Sequence, residues 1–393
     1  MVDLHFAYQS LWAWCRARDF AGHDPFDALN SKLFQLTPLK HSRIARFAAT
    51  QLLKRSPVNV RSLARVPAGK NSKAIALFAL AALANYRRLK TKEAEQEAGQ
   101  LLADLLSLRL EGWSGAAWGY NFDWQSRGFF APRGTPTIVP TAFAARALLE
   151  AAHAFNNDTY LTTARTACDF ILQDLGRGYE TETEVCFSYS PGTDTRIYNA
   201  SLLAAEVLAG VGKLTGEKEL CDWAIRATSY VVNRQRDDGS WSYGEQSNQG
   251  WVDNFHTAFL LSSLVRVINH CDAARQPGFE ESLRRGYDFW RNSFFLADGW
   301  PKYYHDRLYP ADAHAAATAI VTLTDLRNLN AGALTRAEHI ALWSIENLRD
   351  ASGYFYYQRR RFYTVRTPFM RWSESWMAYA LARLLEEKDA HSV

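Results

Sequence analysis

The sequence predicts an all-α protein, an (α/α)6 toroid in which helical hairpins close into a double ring. Three observations support this fold. Apolar residues recur at three- and four-residue spacing, strand-like alternation is scarce and confined to short loops, and segments with glycine and aromatic residues recur at a nearly constant interval. A single hairpin cannot bury its own apolar face, so neighbouring hairpins must stack. An open solenoid is the main alternative.

The helical stretches are rich in alanine and leucine and contain few helix breakers. The clearest example, AIALFALAALANY, predicts a helix over residues 74–86. The same periodicity predicts further helices over 141–155, 200–214, 220–235, 257–269, 313–326, 336–348 and 374–387.

The connecting segments resemble one another, because each contains a glycine beside aromatic residues. The glycines are Gly119, Gly178, Gly239, Gly299 and Gly353, at steps of 59, 61, 60 and 54 residues. Each step is long enough for two helices and two loops. With the helices before Trp113 these loops make about six hairpins. We expect the glycines to form tight turns with positive φ and the loops to meet at one end of the ring.

The regular pattern favours one domain over residues 1–393. Residues 1–70 are less regular and contain breakers such as Pro25 and Pro57. We expect this part to form an irregular cap or to complete the first hairpin.

Composition excludes several classes of protein. A net charge of +4 without an extended basic patch argues against a nucleic-acid partner. Five widely spaced cysteines argue against a disulfide framework and a cysteine-based metal site. The start of the chain lacks the apolar run of a signal peptide, and no run of about 18 apolar residues occurs that could span a membrane. A cytoplasmic location is therefore expected, with no cofactor and no metal.

One segment carries a resemblance to a known repeat. Arg226, Tyr230, Gln235, Gly239 and Trp241 resemble the glutamine–tryptophan repeat of squalene and terpene cyclases. Those proteins and the prenyltransferases are α/α toroids, so the resemblance implies that fold. The Asp-x-Asp-Asp acid motif of such cyclases does not occur in this sequence.

A second resemblance covers more of the chain, and it is carried by residues 119–125, 135–141, 186–192, 251–257 and 371–377. These segments resemble a toroid family found among bacterial surface-polysaccharide genes, with remote similarity to uronyl C5-epimerases, polysaccharide lyases and unsaturated glucuronyl hydrolases. The resemblance implies a role in making or trimming cell-surface glycans, which is an expectation at this point.

Polar and aromatic residues cluster where the repeats predict the mouth of the ring. Sugars stack on aromatic rings and need paired hydrogen-bond donors and acceptors, while arginines can clamp a carboxylate. The candidate substrate-binding residues are Tyr120, Trp124, Arg127, Arg133, Asp194, Arg196, Tyr198, Asn199, Trp241, Asn254, Trp300, Tyr303, Arg371, Trp372 and Glu374.

Two mechanisms fit these clusters. In the first, a uronate loses its C5 proton to His256, His314 or Tyr243, and arginine or asparagine neutralises its carboxylate, which gives β-elimination or epimerisation. In the second, a carboxylate pair hydrolyses a glycosidic bond, with candidates Asp123, Glu245 and Asp253.

Each candidate also has a structural interpretation. Asp194 and Asp253 precede helices and would cap them. Trp241 and Trp300 would pack between repeats, and Arg371 and Glu374 would pair. The basic run 359–361, beside several aromatic residues, is either a solvated loop or an anion-binding rim.

The sequence therefore leaves three functions open. The first is an enzyme acting on a glycan or glycolipid, as a lyase, epimerase or hydrolase. The second is an isoprenoid-handling toroid, and the third is a non-catalytic glycan-binding protein. A glycan site should combine aromatic residues with several charges, whereas an isoprenoid site should be apolar with one strong acid.

Overall fold

The computed structural model describes residues 3–126, 130–272 and 277–391. Helices account for most of this part of the chain. In order they are α1 (Leu4–Arg16), α2 (Lys32–Gln35), α3 (Arg43–Arg55), α4 (Ser72–Leu89), α5 (Lys92–Ser107), α6 (Ile138–Phe155), α7 (Asp158–Asp169), α8 (Tyr198–Thr215), α9 (Lys218–Val232), α10 (Asn254–His270), α11 (Pro277–Phe294), α12 (Ala313–Asp325), α13 (Ala333–Leu348) and α14 (Ser375–His391).

The even-numbered helices from α4 to α14 form a closed inner ring. Each packs against the next, and α14 packs against α4 to complete the circle. Residues 72–84 of α4 and 313–324 of α12 are buried on every face, as expected for a helix with neighbours on all sides. Ring closure confirms the predicted toroid and excludes the open solenoid.

The outer ring consists of helices that each pack beside one inner helix. The helices α5, α7, α9, α11 and α13 follow their inner partners in the chain. The sixth outer position is filled by α1, which packs against α14 and α13. The start of the chain thus completes the last helix pair, while residues 20–70 form a cap containing α2 and α3. That residues 1–393 constitute a single domain stays a prediction, which this packing supports.

Buried charges join neighbouring inner helices. Arg146 of α6 forms a 2.6 Å ion pair with Glu206 of α8, which also accepts a 2.8 Å hydrogen bond from Ser263 of α10. Arg266 of α10 pairs in turn with Asp325 of α12 at 3.0 Å. Removing one member of a buried pair typically costs about 3–5 kcal/mol, so these contacts specify which helices adjoin.

Strands are confined to the segments between outer and inner helices. The hairpin of β3 (Leu175–Glu180) and β4 (Val185–Pro191) leads into α8. Two-residue strands form the other small sheets: β1 (Trp124–Gln125) with β2 (Phe130–Ala131), and β5 (Ala311–Asp312) with β6 (Gln358–Arg359) and β7 (Thr364–Val365).

Glycine is required at the recurring positions for two different reasons. Gly239 and Gly299 have φ of +88° and +90° in turns, as does Gly353 at +108°, which confirms the expectation of positive φ. For Gly119 and Gly178 that expectation is wrong, because neither is among the glycines with positive φ. There a Cβ would lie 2.4 Å from the carbonyl oxygen of Thr135 or 2.7 Å from that of Asp194, so close backbone approach is the constraint.

Candidate active site at the amino ends of the inner helices

A cavity of about 260 Å³ lies where the inner helices begin. This volume is just below the roughly 300–1,000 Å³ typical of small-molecule sites. Helix amino ends carry partial positive charge, so the ring directs several helix dipoles towards this space. The lining includes ten residues that the sequence predicted for the site: Tyr120, Trp124, Asn199, Tyr243, Asp253, His256, Tyr303, His314, Arg371 and Trp372.

Four successive segments that lead into inner helices each contribute at least one tyrosine to the cavity wall. Tyr120, Tyr189, Tyr243 and Tyr303 precede α6, α8, α10 and α12. The hydroxyl oxygens of Tyr120 and Tyr189 lie 3.2 Å apart and share a hydrogen bond. Burial holds the pKa of Tyr189 and Tyr303 well above the ordinary value, so both phenols stay protonated at neutral pH. The predicted convergence of the repeated loops therefore supplies neutral hydroxyl groups.

Asp253 and His256 form a pair at the start of α10. Asp253 is 2% exposed, and its carboxylate caps the helix by accepting the backbone N–H of His256 at 3.0 Å. The other carboxylate oxygen lies 2.7 Å from Nδ1 of His256 and accepts the indole N–H of Trp251 at 3.0 Å. Because a carboxylate can only accept, Nδ1 must donate, which leaves Nε2 of a neutral imidazole with the lone pair.

His314 lies two residues into α12 and lines the same cavity. Its side chain is 1% exposed, yet neither ring nitrogen has a hydrogen-bond partner within the described part of the chain. Burial lowers its pKa well below the usual value, with further lowering by Lys73 and Arg371, so the ring is neutral. His256 and His314 both contact Phe255, with ring-centroid distances of 3.9 and 4.6 Å. An unpaired buried imidazole beside a cavity is available to a ligand.

Two lysines line the cavity. Lys73, in the first turn of α4, lies among the rings of Phe143 and Phe259, with Nζ at 4.6 and 5.1 Å from their centroids. Lys54 of α3 lies 4.2 Å from the Phe26 ring. Burial lowers the pKa of Lys54 to about 8 and that of Lys73 well below its ordinary value. Within the described ranges, neither lysine forms an ion pair with a carboxylate.

Arg371 joins the ring to the cap. It lies just before α14 and forms two hydrogen bonds with Asp24, one of 2.9 Å through Nη2. Although burial opposes the charge, Asp24 raises the pKa of Arg371, so the guanidinium stays charged. The expected pairing of Arg371 with Glu374 is wrong, because Glu374 instead accepts from the backbone N–H of Phe355 at 2.9 Å and from the Ser373 hydroxyl.

Aromatic planes on two sides of the cavity suit a sugar ring. Tyr243 and Trp251 are stacked, with centroids 4.6 Å apart and an interplanar angle of 14°. Trp372 stacks on His314 at 4.3 Å, and its indole N–H donates to Asp312 at 3.2 Å. Fixed rings of this kind offer apolar faces to the C–H faces of a bound sugar.

Three predicted residues form an ion cluster outside the cavity lining. Glu245 accepts hydrogen bonds from Tyr230 at 2.6 Å, Arg234 at 2.8 Å and Arg196 at 3.2 Å, and Tyr198 lies at 3.5 Å. Although partial burial opposes ionisation, hydrogen bonds from Tyr230 and Arg196 hold the pKa of Glu245 below its usual value. Glu245, Arg196 and Tyr198 therefore lie outside the cavity lining, held by partners on α9 and the adjoining loops, and their role in a site stays a prediction.

Asp123, Arg133 and Asp194 are also absent from the cavity lining. Asp123 accepts the backbone N–H of Arg133 at 2.7 Å and thereby holds a turn, while the Arg133 side chain is exposed. Asp194 is exposed, and Ile197 rather than Asp194 takes the cap position of α8. Arg127 lies outside the described residues.

Several other predicted residues are buried structural elements. The indole N–H of Trp241 donates to Val231 at 2.9 Å and that of Trp300 to Leu308 at 3.1 Å. Asn254 donates to the Lys302 carbonyl at 2.9 Å and accepts from Trp290 at 2.8 Å. Trp300, Asn254 and Glu374 therefore lie outside the cavity lining, and Trp241 borders only a small adjoining pocket.

Sequence reasoning missed the cap's contribution to the site. Lys54, Phe47 and Gln51 come from α3, which lies outside the repeats. Lys73 directly precedes the apolar run of residues 74–84 in α4, and a lone lysine at the start of such a run was the signal that could have revealed it. Within residues 3–126, 130–272 and 277–391, no group of three or more metal-binding side chains is gathered.

Comparisons with known proteins support the fold. No protein-family model and no curated protein sequence matches the chain. Among solved structures, it is similar to a family 76 glycoside hydrolase, an α-mannanase of Bacteroides thetaiotaomicron, with 14% identity, a TM-score of 0.65, and coverage of 83% of this chain and 88% of that chain. It is similar to a cellobiose 2-epimerase of Bacillus thermoamylovorans, with 13% identity, a TM-score of 0.62, and coverage of 81% and 88%.

A third similar structure is an unsaturated glucuronyl hydrolase specific for heparin, with 15% identity, a TM-score of 0.59, and coverage of 80% of this chain and 86% of that chain. All three are enzymes that act on carbohydrates. At these identities the likeness establishes the toroid fold, and function has to be argued from the site.

Proposed function

We propose that the protein is a carbohydrate-active enzyme that removes the proton beside the carboxylate of a uronic acid, as a C5-epimerase or a β-eliminating lyase. One observation carries the proposal. The only carboxylate among the described residues that line the cavity is Asp253, which holds His256, whereas Lys54 and Lys73 line the cavity without a carboxylate partner. A base beside two amines that have no carboxylate partner suits an anionic substrate that loses a proton.

His256 is the proposed base. Its Nδ1 is held by Asp253, so Nε2 is the nitrogen that can accept the C5 proton. The carboxylate also stabilises the imidazolium that forms, as in other histidine–carboxylate pairs. The stacked pair of Tyr243 and Trp251 adjoins the imidazole, with Tyr243 at 4.6 Å, and limits its movement.

The lysines would neutralise the substrate's carboxylate. Removal of a C5 proton develops negative charge on that group, and preorganised cations stabilise it most effectively where water is excluded. Lys73 is buried and Lys54 is half-buried, both beside aromatic rings, so a bound carboxylate would favour their protonated forms. Arg371, already paired with Asp24, would orient the substrate rather than neutralise it.

A second proton donor is needed to complete either reaction. Epimerisation requires a proton to be delivered to the opposite face of C5, and elimination requires one for the leaving oxygen. His314 and the neutral hydroxyls of Tyr120 and Tyr189 line the same cavity as His256. They are the candidates for this role.

Other functions are less well supported by the same residues. Hydrolysis by two carboxylates needs a pair roughly 5–9.5 Å apart, and neither Asp123 nor Glu245 lines the cavity beside Asp253. Two lysines and two histidines make the cavity too polar for an isoprenoid. A purely binding protein has no need of the Asp253–His256 pair. We further propose that the reaction belongs to cell-surface polysaccharide assembly, as the resemblance implies.

The experiment is a screen of uronic-acid polysaccharides with the purified protein, recording both new reducing ends and the absorbance of an unsaturated uronate. A lyase produces both signals together, whereas an epimerase produces neither but changes the uronate stereochemistry seen by NMR. Reducing ends without unsaturation would overturn the proposal in favour of hydrolysis. His256→Gln should abolish whichever of these changes the wild-type protein produces. His270→Gln, at the far end of the same helix, should retain it.

A further inference from the structure

The cap has a strongly biased charge. Residues 28–70 contain nine basic residues and no aspartate or glutamate. Arg61 and Lys70 are neutralised by Asp27 and Asp104 from other segments. The basic residues are Lys32, Lys40, Arg43, Arg46, Lys54, Arg55, Arg61, Arg65 and Lys70.

The same segment exposes large aliphatic side chains. Leu36 is 84% exposed, Ile44 82% and Leu63 80%, and Leu33, Leu39, Leu52 and Val58 are also exposed. Isolated exposed aliphatic residues are ordinary, but so many within about thirty residues of chain indicate an interaction surface. The exposed basic residues Lys32, Arg55 and Arg65 lie within the same segment.

Helix α3 contributes both to this surface and to the cavity. Phe47, Gln51 and Lys54 line the cavity, whereas Ile44 and Leu52 are exposed. The exposed positions 44, 48 and 52 are four residues apart, so they form one stripe along the helix, beside the positions that line the cavity. The exposed apolar stripe of α3 therefore borders the candidate active site.

The β6–β7 hairpin extends this surface. The hydroxyl of Tyr363 donates to the carbonyl of Arg55 at 3.3 Å, which fixes the hairpin against the end of α3. Between the two strands, Phe362 is 86% exposed and follows the exposed Arg361. The hairpin thus adds basic side chains from residues 359–361 and the aromatic ring of Phe362 beside the cap.

We infer that this face, formed by residues 32–65 and 361–363, binds the surface of a membrane that contains anionic lipid. Basic side chains attract anionic headgroups while aliphatic and aromatic side chains enter the boundary of the acyl region. A nucleic acid would use the basic residues but not the exposed leucines and isoleucine. A second copy would bring two basic surfaces together, which disfavours self-association.

Among the described residues, no helix is both long enough and apolar enough to cross a membrane. Because α3 connects this face to the cavity, membrane attachment would bring the site close to lipid-linked glycans. The inference is independent of the proposed reaction, since the exposed side chains that carry it, such as Ile44, Leu52 and Phe362, are not assigned to the chemistry.

Co-sedimentation with phosphatidylcholine vesicles, with and without phosphatidylglycerol, tests the inference. The protein should sediment with the anionic vesicles, and added salt should release it. Ile44→Ser/Leu52→Ser should weaken binding about tenfold or more because two inserted side chains are lost. Leu214→Ser is the matched control, since Leu214 is 51% exposed near the carboxyl end of α8, away from the cap.

A second variant, Lys32→Glu/Arg65→Glu, should weaken binding to anionic vesicles and reduce the effect of salt. Melting temperatures of all variants establish that they fold. Absence of binding to anionic vesicles at low salt would overturn the inference, as would equal binding by the Ile44/Leu52 variant and the Leu214 control. Loss of a dimer in the Ile44/Leu52 variant, without an effect on vesicles, would overturn it in favour of a second copy.

Discussion

Asp253 contacts His256 twice, once through the side chain and once through the backbone. One carboxylate oxygen lies 2.7 Å from the imidazole Nδ1, and the other accepts the His256 amide N–H at 3.0 Å. A single aspartate therefore begins α10 and fixes the orientation and tautomer of the proposed base. The structural and catalytic interpretations of Asp253 are compatible, since the cap positions the histidine.

The Asp253→Asn variant separates these two roles. Asparagine caps a helix about as well as aspartate, so the melting temperature should stay within a few degrees of wild type. Activity should fall by about 100-fold or more, because the amide does not stabilise the imidazolium. Asp350→Asn, in an exposed turn, is the control and should keep full activity. Full activity in Asp253→Asn would remove His256 from the proposed role of base.

Binding of the anionic substrate should weaken at alkaline pH. Burial lowers the pKa of Lys54 to about 8, so its charge is present below this pH and lost above it. KM should therefore rise several-fold as the pH is raised from about 7 to about 9. Lys54→Arg should abolish this rise, because arginine stays charged throughout. Identical pH profiles of KM in the two proteins would exclude Lys54 as a substrate contact.

Glu374 should make the fold less stable as the pH rises. Burial raises the pKa of its carboxyl from 4.5 to about 8 in the folded protein. Between these values the unfolded chain loses a proton that the folded chain keeps, so wild-type stability falls with rising pH. Glu374→Gln cannot ionise, so its melting temperature relative to wild type should be higher at pH about 8.5 than at pH about 5. A difference that does not change with pH would contradict a neutral Glu374.

The repeated turns can be tested at Gly299. Its φ is +90°, and an added Cβ would lie 2.6 Å from the His339 carbonyl oxygen. Gly216 also has positive φ, at +77°, but no atom lies within 4 Å of an added Cβ. Gly216→Ala should lower the free energy of unfolding by about 1 kcal/mol, and Gly299→Ala by about 2–5 kcal/mol because a clash with backbone is added. Urea denaturation measures both, and equal losses would contradict the tight packing of this turn.

The sequence predicted the ring because ring formation depends on local periodicity. The apolar spacing located the inner helices α4 and α12 closely, and the glycine interval located the loops between them. It also singled out Asp253 and His256, since a polar pair at the start of a helix is visible in one stretch of chain. Contacts near in sequence were thus accessible without the structure.

Contacts between distant segments could not be predicted in this way. In the sequence, Glu245 was a candidate catalytic acid. In the structure it accepts hydrogen bonds from Tyr230 of α9 and from Arg234, which follows α9. The pairing of Arg371 with Asp24 joins positions 347 residues apart, which no local pattern reports. Lys54 was missed for the same reason, because the cap containing it is not part of any repeat.

The central claim is that His256 removes a proton from carbon. Incubation of a uronic-acid polysaccharide with the enzyme in deuterium oxide, followed by NMR of the uronate, measures this step directly. The account predicts either deuterium at C5 of the uronate or an unsaturated product that has lost its C5 proton. Neither change should occur with His256→Gln, whereas His270→Gln should behave like the wild type. Substrate turnover with every C5 proton still in place would contradict it.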